Sequence, residues 1–178
     1  LGHNDMVRVV AEPQQAANGM FVSAGDDGVL NLWNYNLQTS RPISLKGSRQ
    51  TYKSIRSVAF TPNGKTIFIG SANGQIARWD NLITGSAPSK TLIVHDGMVI
   101  HLFMKTDHNK NQLISTSSVG QIRVWDIDGG KLDVLKNVNL DVNLSSVAQS
   151  PDGKYLFLAT GNNQILRIET EDVSKKPQ

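Results

Sequence analysis

The chain alternates short apolar runs of five or six residues, rich in Val, Ile, Leu and Phe, with turn sequences. Turns such as Pro-Asn-Gly, Pro-Asp-Gly and Asp-Asp-Gly supply the positive φ angles that tight hairpins need. This pattern predicts β-strands and no convincing helix, and the turns lie too close together for helical crossovers. The predicted strands are 6–10, 20–24, 28–34 and 42–46; 55–60, 66–70, 74–80 and 91–94; 99–104, 112–116, 120–126 and 132–136; and 144–148, 155–159 and 163–169.

A strand that ends near a tryptophan recurs at a constant spacing of 46 residues. Its copies are GVLNLWN at 28–34, GQIARWD at 74–80 and GQIRVWD at 120–126. A fourth and weaker copy, NQILRIE, puts Ile168 in the tryptophan position, 43 residues after Trp125. A fixed internal period of this length indicates a repeat protein.

A second marker gives the same register independently of the tryptophans. The hairpin sequence TPNGKTIF at 61–68 matches SPDGKYLF at 150–157. Four antiparallel strands in about 45 residues are typical of a β-propeller blade, whose two faces are buried by neighbouring blades. We therefore predict a single all-β domain over 1–178, with approximate repeats 1–47, 48–93, 94–137 and 138–178.

Composition narrows the class of protein. Of the 178 residues, 39% are hydrophobic and 19% are charged, which is typical of a globular chain. The net charge of +3 comes from scattered side chains, so no nucleic-acid partner is expected. Because the chain lacks cysteine and long apolar runs, neither a thiolate metal site nor contact with a membrane is expected. Leu1 at the start indicates a fragment, for which a cytoplasmic location is expected.

The repeated units resemble the WD-repeat β-propeller family. The resemblance rests on a Gly-His pair, a Pro-Asp-Gly type of turn and a strand ending in Trp-Asp, and it extends over nearly the whole chain. It implies four four-stranded antiparallel blades that form part of a larger ring of seven or eight. The alternatives are two chains that self-associate through open terminal blades, and a closed ring of four blades.

The resemblance also implies a structural hydrogen-bond set that runs from indole through hydroxyl to imidazole and carboxylate. The first unit has all four members, His3, Ser23, Asp27 and Trp33. The third unit has His95, Ser115 and Trp125. Because Val119 replaces its aspartate, His95 is expected to lack its carboxylate partner, while the second unit keeps Trp79 alone. A His–Asp pair in such a set is expected to be structural and not catalytic.

No motif indicates catalysis, a metal or a cofactor. The GKT at 64–66 lacks the earlier glycine of a phosphate-binding loop, and DIDG at 126–129 lacks the glutamate that closes a calcium loop. His95 and His101 do not have the spacing of zinc ligands, and His101 and His108 are expected at the surface or in loops. We therefore expect a protein that is not an enzyme and has no cofactor.

The resemblance implies a module that binds a protein or peptide on one propeller face. In the family, the binding positions flank the first apolar residue of each inner strand or precede the aspartate of a tight turn. The corresponding positions here are Met6, Arg8, Asp26, Ser54, Arg56, Ala72, Met98, Ile100, Ser118, Asn143, Ser145 and Gly161. The arginines favour an acidic or phosphorylated partner, whereas Met98 and Ile100 could instead pack between blades.

A second function remains open at this point. The chain could be the sensory or regulatory part of a larger multidomain signalling protein, such as a bacterial one. In that case the effector domain would lie outside these 178 residues. Because fold alone does not give function, the sequence leaves the partner unidentified.

Overall fold

The computed structural model describes residues 2–13, 19–34, 43–44, 54–81, 88–107, 110–173 and 177, so His108 lies outside the described residues. Apart from one short 3₁₀ turn at Asp128–Gly130, the regular elements in these ranges are β-strands. They form four separate antiparallel sheets, each built from strands that are consecutive in sequence. The predicted all-β class and the antiparallel blades are confirmed.

Three sheets have four strands each. Blade 1 contains β1 (Val7–Ala11), β2 (Met20–Gly25), β3 (Leu30–Asn34) and β4 (Ile43–Ser44). Blade 2 contains β5 (Ile55–Phe60), β6 (Thr66–Ser71), β7 (Gln75–Asp80) and β8 (Lys90–Ile93). Blade 3 contains β9 (Val99–Asp107), β10 (Lys110–Ser117), β11 (Gln121–Asp126) and β12 (Asp133–Asn139).

Blade 4 has three described strands, at the positions of the three strands that the sequence pattern predicts for this unit. They are β13 (Leu144–Gln149), β14 (Tyr155–Thr160) and β15 (Ile165–Glu169). After β15, the Thr170 amide donates to the carbonyl of Lys154, and the Thr170 hydroxyl donates to the carbonyl of Gly153. Val173 is then fully buried in the core. The Thr170–Lys154 bond continues the pairing of β14 with β15, as the bond from the Asn81 amide to the Lys65 carbonyl does in blade 2.

The hydrophobic core lies between blades and not within them. Trp79 packs among apolar side chains of blades 1 and 2, and Trp125 packs among those of blades 2 and 3. A third cluster joins blades 3 and 4 and includes Ile168, the residue in the fourth tryptophan position. Burying an indole removes about 150–250 Å² of surface from water, so the repeated tryptophan stabilises the stacking of blades.

The inner strands of successive blades lie side by side, in the order β1, β5, β9 and β13. The far ends of these four strands line a cavity of about 280 Å³. His101, which was expected at the surface or in a loop, lies on inner strand β9. Its ring is half-buried and stacks on Phe103, with 5.6 Å between ring centroids, and burial lowers the pKa of this histidine.

Candidate partner-binding face

The predicted binding positions meet at one edge of the blades, where each inner strand begins and each second strand ends. In every blade, the amide of the turn residue donates to the carbonyl of the residue that precedes the inner strand. The four bonds are Asp26 to Met6 (2.9 Å), Ala72 to Ser54 (2.8 Å), Ser118 to Met98 (2.9 Å) and Gly161 to Asn143 (2.8 Å). We call this edge the turn face, and it comprises these eight residues with Arg8, Arg56, Ile100, Val119 and Ser145.

Each inner strand carries a β-bulge at its second residue. In blade 1, Val7 pairs with Gly25 and Val9 pairs with Ala24, so Arg8 has no partner in the ladder. The same irregularity occurs in the other three blades, at the positions Arg56, Ile100 and Ser145. A bulge bends the strand and redirects the side chain of the extra residue. The four bulged residues are the four that follow the first apolar residue of each inner strand.

The charged residues of the turn face form one cluster between blades 1 and 2. Arg8 Nε donates to Asp26 Oδ2 at 2.7 Å, and the Ser54 hydroxyl donates to Asp26 Oδ1 at 2.5 Å. These two bonds, chiefly that of Arg8, lower the pKa of Asp26 to about 2. Asp26 is therefore a carboxylate at neutral pH and already has partners. Ser54 is buried, so it supports this surface from beneath.

The two arginines are not equally free for an acidic partner. Arg8 is bound to Asp26 through both Nε and Nη2, and Asp5 also attracts its guanidinium. Arg56 approaches Asp26 at 3.6 Å through Nη2, and its buried Nε has no hydrogen-bond partner among the described atoms. Both arginines were expected to be available to an acidic partner. Because Arg8 is already paired with Asp26, only Arg56 remains available.

The first structural hydrogen-bond set is complete within blade 1. Trp33 Nε1 donates to Ser23 Oγ at 2.7 Å, and that hydroxyl lies 2.7 Å from His3 Nε2. His3 Nδ1 lies 2.9 Å from Asp27 Oδ2, and the amide of Asn4 donates to the same oxygen at 3.0 Å. Every member has a partner inside the protein, which is what a structural role requires.

In blade 3, the hydrogen-bond partner of the histidine comes from a different position than in blade 1. Trp125 Nε1 donates to Ser115 Oγ at 2.8 Å, and His95 Nε2 lies 2.7 Å from the same hydroxyl. On its other side, His95 Nδ1 lies 3.3 Å from Gln121 Oε1, which also accepts the amide of Asp96 at 3.0 Å. The partner of His95 Nδ1 is therefore an amide oxygen and not a carboxylate, because the longer side chain of Gln121 reaches the site of the missing aspartate.

The unpartnered group of these sets lies in blade 2. Trp79 is fully buried, and its Nε1 has no hydrogen-bond partner in the described part of the chain. Ile69 occupies the hydroxyl position of this blade and packs in the core beside the indole. Blade 2 therefore keeps the volume of the tryptophan and gives up its hydrogen bond, which costs roughly 1–3 kcal/mol.

The replacement of a carboxylate by Gln121 predicts an acid-sensitive blade 3. Burial, assisted by the charge of Arg123, lowers the pKa of His95 from 6.5 to about 4. The folded pKa lies below the unfolded value, so the unfolded chain takes up the proton first and stability falls as the pH falls below about 6.5. We expect this histidine to remove about 2 kcal/mol of unfolding free energy between pH 7 and pH 5, measured by urea titration.

The matched variant for this prediction is Gln121→Glu. A carboxylate beside His95 would favour the imidazolium, as an opposite charge raises a histidine pKa. The variant should therefore lose less than half as much stability as the original chain over the same pH interval. An equal loss in both proteins would show that another group causes the acid sensitivity.

Val119 and Met98 form a small apolar surface on the turn face of blade 3. Both side chains are 37% exposed. Ile100, in contrast, is half-buried and packs against the core between blades 3 and 4. The expected alternative of packing between blades therefore holds for Ile100 and not for Met98. In the sequence, Val119 is recognisable as the residue that replaces an aspartate. An apolar residue at a turn position is the signal that could have marked it as a surface contact.

The described residues contain neither a candidate metal site nor a candidate membrane-spanning helix. Within the ranges that the structure describes, no three His, Asp or Glu side chains are grouped so as to hold a metal ion. The described residues likewise contain no helix with the length and hydropathy needed to cross a bilayer.

Comparison with known proteins places the chain in a family. The sequence model described as "WD domain, G-beta repeat" matches residues 42–80. Apoptotic protease-activating factor 1 of Rattus norvegicus is 30% identical over 171 residues, which cover 94% of this chain. The chain belongs to the WD-repeat family. Cilia- and flagella-associated protein 43 of Xenopus laevis is 25% identical to this WD-repeat chain over 151 residues, or 85% of its length.

The WD-repeat chain is short beside its relatives. It covers 12% of the apoptotic factor and 9% of the ciliary protein. SAGA complex subunit Spt8 of Schizosaccharomyces pombe is 24% identical over 127 residues, which are 70% of this chain and 23% of that protein. WD repeats are generally modules for protein interaction and scaffolding and not catalysts.

Proposed function

We propose that the turn face binds a segment of a protein partner, and that the chain acts as a non-catalytic interaction or scaffolding module. The observation that carries the proposal is the β-bulge at the second residue of all four inner strands. Bulges next to functional sites redirect side chains, and the same device occurs here in every blade. Arg8, Arg56 and Ser145 are thereby released from strand pairing at one edge of the molecule.

Hydrogen bonds also join the blades at and beside the turn face. Ser54 on blade 2 donates to Asp26 on blade 1, and the amide of Leu144 on blade 4 donates to the carbonyl of Ser118 on blade 3 at 2.9 Å. Blades 2 and 3 are joined by the Ser57 hydroxyl, which donates to the carbonyl of Val99 at 3.1 Å. A surface whose backbone is fixed before binding loses less conformational entropy when a partner docks.

The proposal extends to the position of this chain in a larger protein. The matched relatives are much longer, since the chain covers between 9% and 23% of the three described above. We infer that the four blades form part of a larger ring in which the same face operates. In the regulatory alternative, these blades would have no ligand of their own, and the effector domain would lie outside the 178 residues.

Site-specific photo-crosslinking tests the proposal. Benzoylphenylalanine would replace the exposed Met6 and Met98 on the turn face, and as controls Val134 on β12 and Phe157 on β14, which are also exposed. In an extract of source cells, we expect a discrete protein adduct from the two turn-face positions and not from the controls. Adducts from the controls alone, or equally from all four positions, would contradict binding on this face.

A further inference from the structure

We propose that the turn face between blades 2 and 3 recognises a peptide segment with two features: a large apolar side chain that packs on Met98 and Val119, and a carboxylate that pairs with Arg56. This inference rests on the proposed function and specifies the chemistry of its ligand. It concerns Arg56 on β5 of blade 2 and two residues of blade 3, whose inner strand β9 contacts β5.

Val119 is exposed because its structural task has moved to another residue. In blade 1 the equivalent position is Asp27, which accepts hydrogen bonds from His3 and Asn4. In blade 3 the equivalent bonds are made by Gln121, so position 119 does not need a carboxylate. The side chain of Val119 instead lies over the backbone of Gly97, where an added Cβ would be 2.9 Å from its Cγ1. The glycine therefore makes room for an apolar group at the surface.

Met98 extends this apolar surface, and two hydrogen bonds hold its backbone in place. Its amide donates to Ser118 Oγ at 3.1 Å, and its carbonyl accepts the Ser118 amide at 2.9 Å. The backbone of the two loops is thus locked together beneath the exposed thioether. Methionine side chains are flexible and polarisable, so they adapt to apolar partners of different shapes.

Arg56 supplies a positive charge on the blade next to the apolar pair. Its neighbour Ser57 donates to Val99, the neighbour of Met98, so the half-buried Arg56 and the exposed Met98 flank a direct contact between blades. Arg8 makes the shorter contacts with Asp26, and Arg56 is left with one contact at 3.6 Å. A guanidinium with donors to spare binds carboxylates in a bidentate manner. Charge complementarity therefore selects an acidic residue near the apolar anchor.

Selection from a displayed library of random peptides of about 12 residues tests this inference on the 178-residue chain. We expect enrichment of peptides in which Asp or Glu lies within about four positions of Leu, Ile, Phe, Met or Trp. Synthetic copies of the enriched peptides should bind about tenfold more weakly to Val119→Asp and to Arg56→Ala. Val119→Asp introduces the residue type that blade 1 carries at this position, so the turn should accept it.

Val134→Asp is the matched control, because Val134 is an exposed valine of the same blade that lies on β12 and away from the turn face. It should leave peptide binding unchanged. Equal weakening by Val134→Asp, enrichment of peptides without acidic residues, or full binding by Val119→Asp would each overturn the inference. So would light scattering that showed Val119→Asp merely separating paired copies of the chain.

The two experiments separate the two proposals. Crosslinks from Met6 and Met98 together with a failed peptide selection would leave the binding face intact and remove the apolar-acidic specificity. Missing crosslinks at both positions would remove the proposed function itself.

Discussion

Gly74→Ala is expected to lower the unfolding free energy by about 4 kcal/mol. Gly74 opens the GQIARWD strand with φ of +78°, and a Cβ there would overlap the carbonyl oxygen of His95. The carbonyl of Gly74 also accepts the amides of Val94 and His95, at 3.0 and 3.1 Å. The two segments therefore cannot separate without breaking these bonds. Urea unfolding followed by tryptophan fluorescence measures the loss.

Gly129→Ala is the control that separates the overlap from the backbone strain. Gly129 also has a positive φ, of +61°, but apart from its own chain neighbours no atom of the described residues lies within 4 Å of an added Cβ. Its replacement should cost about 1 kcal/mol, the price of the left-handed conformation alone. If both variants lost the same stability, the contact with His95 would not explain the glycine of the repeated strand.

Arg78→Met is expected to cost about 3 kcal/mol. Arg78 is buried, lies over the Phe68 ring, and donates through Nη1 to the carbonyls of Ile127 and Lys131, at 2.7 and 2.8 Å. Its Nε pairs with Asp80. The side chain thereby ties the third strand of blade 2 to the loop that follows the third strand of blade 3. Methionine would retain the packing, remove the donor to both carbonyls and remove the cationic partner of Asp80, whose carboxylate keeps the hydroxyl donors Thr66 and Ser89.

Two further variants define the origin of that loss. Arg78→Lys keeps the charge but cannot serve all of these acceptors, so its stability should fall between those of the original chain and Arg78→Met. Arg123→Met removes an arginine whose Nε donates to Asn137 at an exposed site, and it should cost less than about 1 kcal/mol. A loss from Arg78→Met no larger than that from Arg123→Met would show that the inter-blade bonds contribute little.

The fold could be predicted because one packing problem recurs along the chain. Trp79 and Trp125 are buried between blades, and Gly74 and Gly120 are held in turns against the next segment. Both requirements leave visible residue types at fixed positions, so the repeat appears in the sequence. Blade 4 is less visible in the sequence, because Ile168 and not a tryptophan is the buried residue at the repeated position.

The sequence predicts which residues lie together on the turn face but not how the backbone bulges or how the side chains pair. The β-bulge at Arg56 leaves the alternation of buried and half-buried residues along Ile55–Phe60 intact, so the sequence pattern shows no sign of it. The pairing of Arg8 with Asp26 depends on how the bulge directs a long side chain. Gln121 takes the place of an aspartate because its side chain is long enough to reach the histidine from two residues further along the chain. These outcomes follow from three-dimensional distances that residue types alone do not specify.

The bulges have a consequence for how such a protein can change over evolutionary time. A residue that stands outside the ladder can be exchanged without disturbing the strand pairing on either side of it. The four blades already carry two arginines, an isoleucine and a serine at that position, with the same backbone pairing around each. New ligand preferences can therefore arise one blade at a time, while selection for folding acts on other residues.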